Sequence, residues 1–431
     1  MTKDKNTKTI VPVLRFPEFQ KTEGWHRETI GNLYVFKSTN SFSRDSLNYT
    51  AGVIKNIHYG DIHTKFSVLF DVTKEDIPYI NTDIEIDRFK SDCFCQVSDV
   101  VFADASEDLE GIGKCIEIVN LNNEYVLSGL HTILARQQGS NFVTGFAGYL
   151  FMSEGVKTQI NKESQGAKVL GISSKRLSNI ILPFPKSKKE QAKIASCLSS
   201  LEDLISAVED KIEALKEYKK GLIQQLFPAE GKTIPTIRLP KFQNTGEWKE
   251  TTLGEEVYYE NGKAHENDID EAGQYIVVNS KFISTDGKVV KCTDNPCCLA
   301  EEGDILMVLS DVPNGRAIAK CFIVDCSGKY TVNQRICKLK PKKAVGLLLY
   351  YIINRNPFLL AFDDGIKQTN LKKDDVLNCP FRLPKSSKEQ QWVANCLSSV
   401  DELIFAETDR LDQLNNHKKG LMQQLFPTLI K

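Results

Sequence analysis

Two stretches of the chain carry apolar residues at alternating spacings of three and four. The first runs Ile194, Leu198, Leu201, Ile205, Val208, Ile212, Leu215, Leu222 and Leu226. The second runs Val393, Leu397, Val400, Ile404, Leu411, Leu414, Leu421 and Leu425. That period is a heptad seam and predicts two long amphipathic helices. Ser187-x-x-Glu190 and Ser386-x-x-Glu389 read as capping boxes just after Pro185 and Pro384, and Pro228 and Pro427 stop the helices. Helices of about 39 residues would span roughly 58 Å at 1.5 Å per residue. An isolated helix could not hide such a stripe, so the two seams are expected to pack on each other within the chain. A homodimeric coiled coil is the alternative. Lys219 and Lys418 interrupt the seams at the same place, and Glu407 stands where the first seam has Val208.

The helices belong to a tandem repeat. Pro185-Lys-Ser-Lys-Lys-Glu-Gln191, Cys197-Leu-Ser-Ser200 and Lys219-Lys-Gly-Leu-Ile-Gln-Gln-Leu-Phe-Pro228 recur, almost unchanged, 199 residues later up to Pro427. A second marker, Val11-Pro-Val-Leu-Arg-Phe-Pro-Glu-Phe-Gln20 with Trp25, recurs at an offset of 223 as Ile234–Gln243 with Trp248. The plan is therefore an N-terminal marker (1–24), a variable region (25–184), a long helix (185–228), a linker with the repeated marker (229–247), a second variable region (248–383) and a last long helix (384–431). The variable regions align poorly. Weak echoes survive, such as Val53–Tyr59 against Ile276–Phe282 at offset 223, and Gly166-Ala-Lys168 against Gly365-Ile-Lys367. Constant flanks point to shared architecture and shared partners; divergent interiors point to two different ligands or to two versions of one ligand. Short β-rich runs at Tyr34–Phe36, Val97–Phe102, Cys115–Val119, Ile305–Leu309 and Cys321–Val324, with a helix near Lys343–Asn354, predict mixed α/β regions without clean βαβ alternation.

Composition narrows the chemistry. The 431 residues carry a formal net charge of −1, which disfavours a simple polybasic nucleic-acid binder. Residues 25–185 hold 15 Lys and Arg against 19 Asp and Glu, and residues 248–384 hold 18 against 19. Neither variable region is a basic module. Twelve cysteines and six histidines form no pattern with metal-site spacing; Cys93-x-Cys95, Cys297-Cys298 and Cys321-x4-Cys326 read as small buried hydrophobes. The opening MTKDKNTKTIVPV lacks a signal-peptide apolar region, and the longest apolar run, Val345–Ile353, is far shorter than the roughly 18–20 residues of a membrane span. A cytoplasmic chain with reduced thiols and no membrane contact is expected. No Walker A, GxSxG or HExxH motif occurs, and Asp294-Asn-Pro-Cys297 and Asn356-Pro-Phe358 lack the second proline of an adenine-methyltransferase motif. The chain reads as non-catalytic.

Two variable regions alternating with two long helices, each helix announced by Pro-x-x-x-x-Glu-Gln (Pro185…Glu190-Gln191, Pro384…Glu389-Gln390) and closed by Lys-Lys-Gly-Leu-x-Gln-Gln-Leu-Phe-Pro, resemble the specificity (S) subunit of type I restriction–modification enzymes. The similarity covers essentially residues 11–427. It implies an α+β fold with two sheet-rich target recognition domains, separated by two long helices that form an antiparallel coiled coil, with a pseudo-twofold internal repeat. Each domain would read one half of a bipartite double-stranded DNA target, and the helix pair would set the spacer, at about 34 Å per DNA turn. Two methyltransferase (M) subunits would dock on the chain, carrying S-adenosylmethionine that this chain itself does not bind. Motor–nuclease (R) subunits would join in systems that cleave.

Base readout needs only a few polar side chains per half-site. In the first domain the candidates are Asn56, His58, Lys114, Gln165 and Lys168; in the second, Asn279, Lys281, Asn314, Arg316, Lys367 and Gln368. Arg136 and Arg335 follow strand-like runs and are candidate phosphate clamps. Two rival readings stand beside this one: a two-headed protein-binding adaptor, which would show no bipartite DNA preference, and an enzyme with an unrecognised active site, which would modify DNA alone.

Overall fold

The computed structural model describes residues 10–85, 89–265, 267–312 and 315–428. Two units emerge, and their boundary falls inside both long helices: one unit takes the chain up to Glu209 and again from Asp409, and the other is Asp210–Thr408. Each unit therefore combines one variable region with one end of each helix.

In the first unit, β1 (His26–Thr29), β2 (Tyr34–Lys37), β3 (Ile54–Ile57), α1 (Tyr59–Thr64), β4 (Leu69–Asp71), β5 (Val100–Ala103), β6 (Ala105–Ser106), β7 (Cys115–Asn120), β8 (Tyr125–Ser128), β9 (Thr132–Gln137), α2 (Phe146–Met152), β10 (Leu170–Gly171) and β11 (Ile181–Phe184) precede the long helix α3 (Lys188–Leu226). Its main sheet has the order β2-β9-β5-β7-β4, and β3 runs parallel to β8 in a smaller sheet. The second unit repeats the plan with β12 (Lys249–Thr252), β13 (Val257–Asn261), β14 (Tyr275–Val278), α4 (Ser280–Ser284), β15 (Ile305–Val308), β16 (Ser310–Asp311), β17 (Cys321–Ile323), β18 (Tyr330–Val332), β19 (Ile336–Pro341), α5 (Gly346–Ile353), β20 (Thr369–Asn370), β21 (Pro380–Leu383) and the long helix α6 (Ser387–Leu425). Its main sheet is β13-β19-β15-β17, and β14 runs parallel to β18. The five sequence-predicted strand runs and the predicted helix near Lys343–Asn354 all appear, as β2, β5, β7, β15, β17 and α5.

The seams do what their period demands. Ile194, Leu198, Ile205, Val208, Ile212, Val393, Leu397 and Val400 are buried, and Leu201, Leu215, Leu222, Ile404, Leu411, Leu414 and Leu421 are half-buried. Within the second unit Lys219 meets Asp401 and Lys211 meets Glu407, so α3 and α6 run antiparallel there. In the first unit Glu202 meets Lys418, and Ile194 and Leu198 share a core with Leu425 and Phe426, again antiparallel. Lys219 and Lys418, the seam interruptions, are used. Lys219 Nζ lies 2.6 Å from Asp401 Oδ1, and Tyr351 donates to Asp401 Oδ2 at 2.7 Å. Lys418 Nζ lies 2.5 Å from Glu202 Oε1, and Tyr149 donates to Glu202 Oε2 at 2.6 Å.

The repeated markers are explained by a buried knot. Glu190 does not complete a capping box. Ser187 Oγ does accept from Glu190 N, but the carboxylate is diverted: Arg15 Nε and Nη2 donate to its two oxygens at 2.7 and 2.8 Å, and Trp25 Nε1 donates at 3.1 Å. Glu389 takes the same three donors from Arg238 and Trp248, at 2.6, 2.9 and 3.2 Å. The neighbouring Gln191 and Gln390 accept from Val143 N and Val345 N, and donate back to the carbonyls of Pro185 and Pro384. Marker, helix and variable region are thus joined at one Glu-Gln pair in each unit. The helix ends close the cores. Leu226 and Phe227 pack in the second unit's core with Trp248, and Leu425 and Phe426 pack in the first unit's core with Trp25.

Candidate nucleic-acid interface

In the first unit β3 is followed by His58, whose Nδ1 accepts from Gly60 N at 3.1 Å and caps α1. Burial pushes the His58 imidazole down from its ordinary range, as the accepting, neutral nitrogen requires. Tyr59 stands next to it, with ring centroids 4.7 Å from His58, 5.8 Å from His63 and 5.2 Å from His131. Three of the six histidines thus surround one tyrosine. His131 sits in the turn between β8 and β9 at φ +53°; its carbonyl accepts from Asp104 N and its Nδ1 lies 3.2 Å from Asp104 Oδ1. His63 Nε2 lies 2.9 Å from the Ala105 carbonyl, and Lys114 Nζ donates to the His63 carbonyl at 2.8 Å. These bonds tie α1, the β8–β9 turn and the ribbon β6–β10 into one face. The loop before β10 closes on itself: Gln165 and Gly171 exchange backbone bonds, and Gly166 at φ +131° must be glycine, since a Cβ there would lie 1.9 Å from the Val169 carbonyl.

The second unit builds the same face with other side chains. Asn279 caps α4 by accepting from Phe282 N, so it is the counterpart of His58. The sequence echo at offset 223 is therefore two residues out of register. Lys320 Nζ reaches the Ser284 carbonyl, as Lys114 reaches that of His63. The Arg335 carbonyl accepts from Leu309 N, as that of His131 accepts from Asp104 N. The ribbon is β16–β20, and Gln368 Nε2 donates to Ser310 Oγ at 2.7 Å.

The electrostatics of this face differ from the net charge of the region. Asp311 Oδ1 accepts from Val312 N, and its Oδ2 accepts from Ala317 N and Ile318 N. Asp364 accepts from Ile366 N and Lys367 N, and Asp363 from Gly365 N and Thr369 Oγ1. These carboxylates are occupied by the backbone and its neighbours. Lys281, Arg316, Arg335 and Lys367 are exposed, and among the described residues their side chains have no hydrogen-bond or ion-pair partner. In the first unit Gln165 and Lys168 are exposed in the same way, but acids are more numerous and Arg44 is consumed by a bidentate pair with Asp61 at 2.7 Å.

Several expected readers are taken up by the fold instead. Asn56 is fully buried on β3, His58 is a buried helix cap, and Lys114 is a clasp whose amine is held by a carbonyl. Arg136 is no free phosphate clamp: its guanidinium is held by Asp99 and by the carbonyls of Phe94 and Asp92. Asn314 lies outside the described residues. Tyr59, His63 and His131 were missed. The pair His58-x4-His63 is visible in the sequence, but His131 joins it only through the fold. Among the described residues, no group of three or more His, Cys, Asp or Glu side chains is placed to hold a metal ion, and no helix is long and apolar enough to cross a membrane. All twelve cysteines are free; Cys95, Cys115, Cys298, Cys321, Cys337 and Cys379 are buried, but Cys93 and Cys326 are half-buried and Cys297 is exposed, so the expected burial holds for only one cysteine of each close pair.

Comparison with known proteins gives the architecture a context. The profile of the type I restriction modification DNA specificity domain matches residues 72–217 and 245–416. The provisionally named type I restriction enzyme MjaX specificity subunit of Methanocaldococcus jannaschii is 24% identical over 435 residues, 96% of each chain. The type I restriction enzyme MjaVIII specificity subunit of the same organism is 26% identical over 306 residues, 66% of this chain and 70% of the relative. Among solved structures, the S subunit of a type I restriction–modification system from M. genitalium matches with a TM-score of 0.63 at 15% identity, covering 98% of this chain and 100% of that one. Its likeness is one of fold. With the profile spanning well over half of the sequence, the chain belongs to the type I restriction modification DNA specificity family.

Proposed function

We propose that each unit reads one half of a bipartite double-stranded DNA target through the face built on the capped short helix, the following turn and the ribbon. The observation that carries this reading is the repetition of that framework with its side chains exchanged. Beyond the capping pair His58 and Asn279, Tyr59, His63 and His131 occupy the positions that Ser280, Ser284 and Arg335 occupy in the other unit. A constant frame presenting different polar groups suits two different base sequences. The exposed Lys281, Arg316, Arg335 and Lys367 supply local cations in a region of near-neutral charge, while the acids beside them bond to backbone N–H groups. Phosphate neutralisation provides most DNA affinity, so so few free cations leave part of the grip to partners.

The helices α3 and α6 set the separation of the half-sites, and two methyltransferase subunits dock on the repeated markers and helices. Exposed apolar residues recur at equivalent positions there: Val11 and Ile234, Leu14 and Ile237, Leu204 and Leu403. Those subunits carry S-adenosylmethionine and flip the target adenine, and motor–nuclease subunits join where the system cleaves. The chain supplies the address and no chemistry, and acts in the cytoplasm. Co-expression with the partner methyltransferase subunit, followed by single-molecule mapping of N6-methyladenine, tests this. A bipartite motif with a fixed spacer is expected. Methylation without a bipartite motif would favour the two-headed protein adaptor, and DNA modification by the purified chain alone would favour an enzyme.

A further inference from the structure

We propose that His131 and Arg335, which occupy the same turn in the two units, each set specificity at one base pair of a half-site, and that the Arg335 guanidinium reads a guanine edge. This rests on the reading of the chain as a DNA recognition subunit with one half-site per unit, and names where each unit discriminates.

The equivalence of the two residues stands on backbone geometry. Each follows the strand that runs parallel to the strand before the capped short helix, and each precedes a long strand of the main sheet. Each offers its carbonyl to the N–H just before the ribbon strand, Asp104 to His131 and Leu309 to Arg335. The turn is thus anchored through its backbone in both units, and the side chain is left to vary.

Arg335 is exposed and its guanidinium has no partner among the described residues. Arg316 is free in the same way, whereas Arg238 is engaged with Glu389, Arg355 with the carbonyls of Arg316 and Ile318, and Arg382 with Glu250; of the two free groups, Arg335 is the one on the backbone-anchored turn. Asp311, on the ribbon strand that follows Leu309, bonds to three backbone N–H groups and, among the described residues, makes no ion pair with Arg335. A free fork of parallel N–H donors on an anchored turn matches O6 and N7 of guanine, the pairing that arginine makes with two bonds in the major groove. A phosphate would accept the same donors but carries no sequence information.

His131 is exposed on the corresponding turn and holds φ +53°, in the left-handed region that histidine, like asparagine, enters more readily than most residues. Its ring lies between Tyr59 and Asp104. An imidazole offers at most one donor or acceptor toward a base, so the two units read with different hydrogen-bond patterns.

The test uses the full chain co-expressed with its partner methyltransferase subunit, with methylated motifs mapped for wild type, Arg335→Gln, Arg335→Lys and His131→Arg, and thermal unfolding measured for each. Arg335→Gln is expected to relax one guanine of one half-site, lowering discrimination there roughly 10- to 100-fold, with the other half-site unchanged. Arg335→Lys keeps the charge but not the fork, and is expected to relax the same base pair. His131→Arg is expected to change one position of the opposite half-site. Wild-type motifs from all three folded variants would overturn the proposal. So would an even loss of methylation across all sequences, which is the behaviour of a phosphate contact. Absence of any bipartite motif from the wild-type complex would instead remove the parent reading.

Discussion

At Glu190 and Glu389 a carboxylate sits buried between a guanidinium fork and an indole N–H, with side-chain exposures of 5% for each arginine and 1% for each glutamate. Removing one partner leaves the other charge buried and uncompensated. Arg15→Ala and Arg238→Ala should each cost about 3–5 kcal/mol, read as a lower urea midpoint, and Arg15→Lys should recover only part of it because the fork is lost. Glu117 is a second buried carboxylate, accepting from Gly145 N and Gly148 N at the start of α2. Burial pushes it up to about 7, against the pull of those N–H groups. The native state therefore holds a proton that the unfolded chain has released, so the contribution is full below about 4.5 and is lost as the pH rises through about 7. Melting of the first unit should fall between pH 5 and pH 8, and Glu117→Gln should flatten that slope; an unchanged slope would refute the assignment. At this scale the sequence is least legible. Ser187 and Glu190 spell a capping box, yet the carboxylate turns to Arg15, 175 residues away, because a buried guanidinium is the stronger partner. His131 joins Tyr59 and His63 only once β8 lies beside β3, and nothing local announces that.

The elements were far easier to foresee. A seam repeated over nearly five heptads has one cheap solution, and both helices span 39 residues as the caps and prolines require. What the period did not reveal is the use of its exceptions. Lys219 and Lys418 break the apolar stripe, but each meets an acid on the other helix that also holds a tyrosine of the adjoining domain. A slip of the helices by one heptad would separate both clusters. Asp401→Lys should therefore destabilise the pair, and adding Lys219→Asp should restore most of the loss, measured as a double-mutant cycle by chemical unfolding. Leu397→Ala, at a fully buried seam position, should cost about 2–5 kcal/mol. Inserting seven residues after Leu215 should lengthen the spacer in the methylated motif; an unchanged spacer would show that the helices do not set it.

For the molecule as a whole, the repeat made the two-part plan legible, whereas the wiring of the parts emerged only from the contacts. The Leu-Phe pair that ends each long helix closes the core of the unit belonging to the other variable region. Backbone bonds from Leu14 to Gln424 and from Ile237 to Gln225 fasten the markers to those ends. The variable regions themselves stayed opaque, because divergent surface residues on a shared frame leave few echoes to align. Exchanging residues 25–184 for those of a relative should change one half-site only, as mapped by N6-methyladenine sequencing; a change in both would contradict independent readers.

The discontinuous first unit also has a consequence for biosynthesis. Residues 10–209 leave the ribosome first, but the surface made by Trp25, Phe146 and Leu198 is covered by Leu425 and Phe426, more than 200 residues downstream. At about 5–20 residues per second that surface waits ten seconds or more for its cover. The second unit, continuous from Asp210 to Thr408, meets no such delay. The domain translated first is thus the last to be sealed, and its apolar face stays uncovered for that interval.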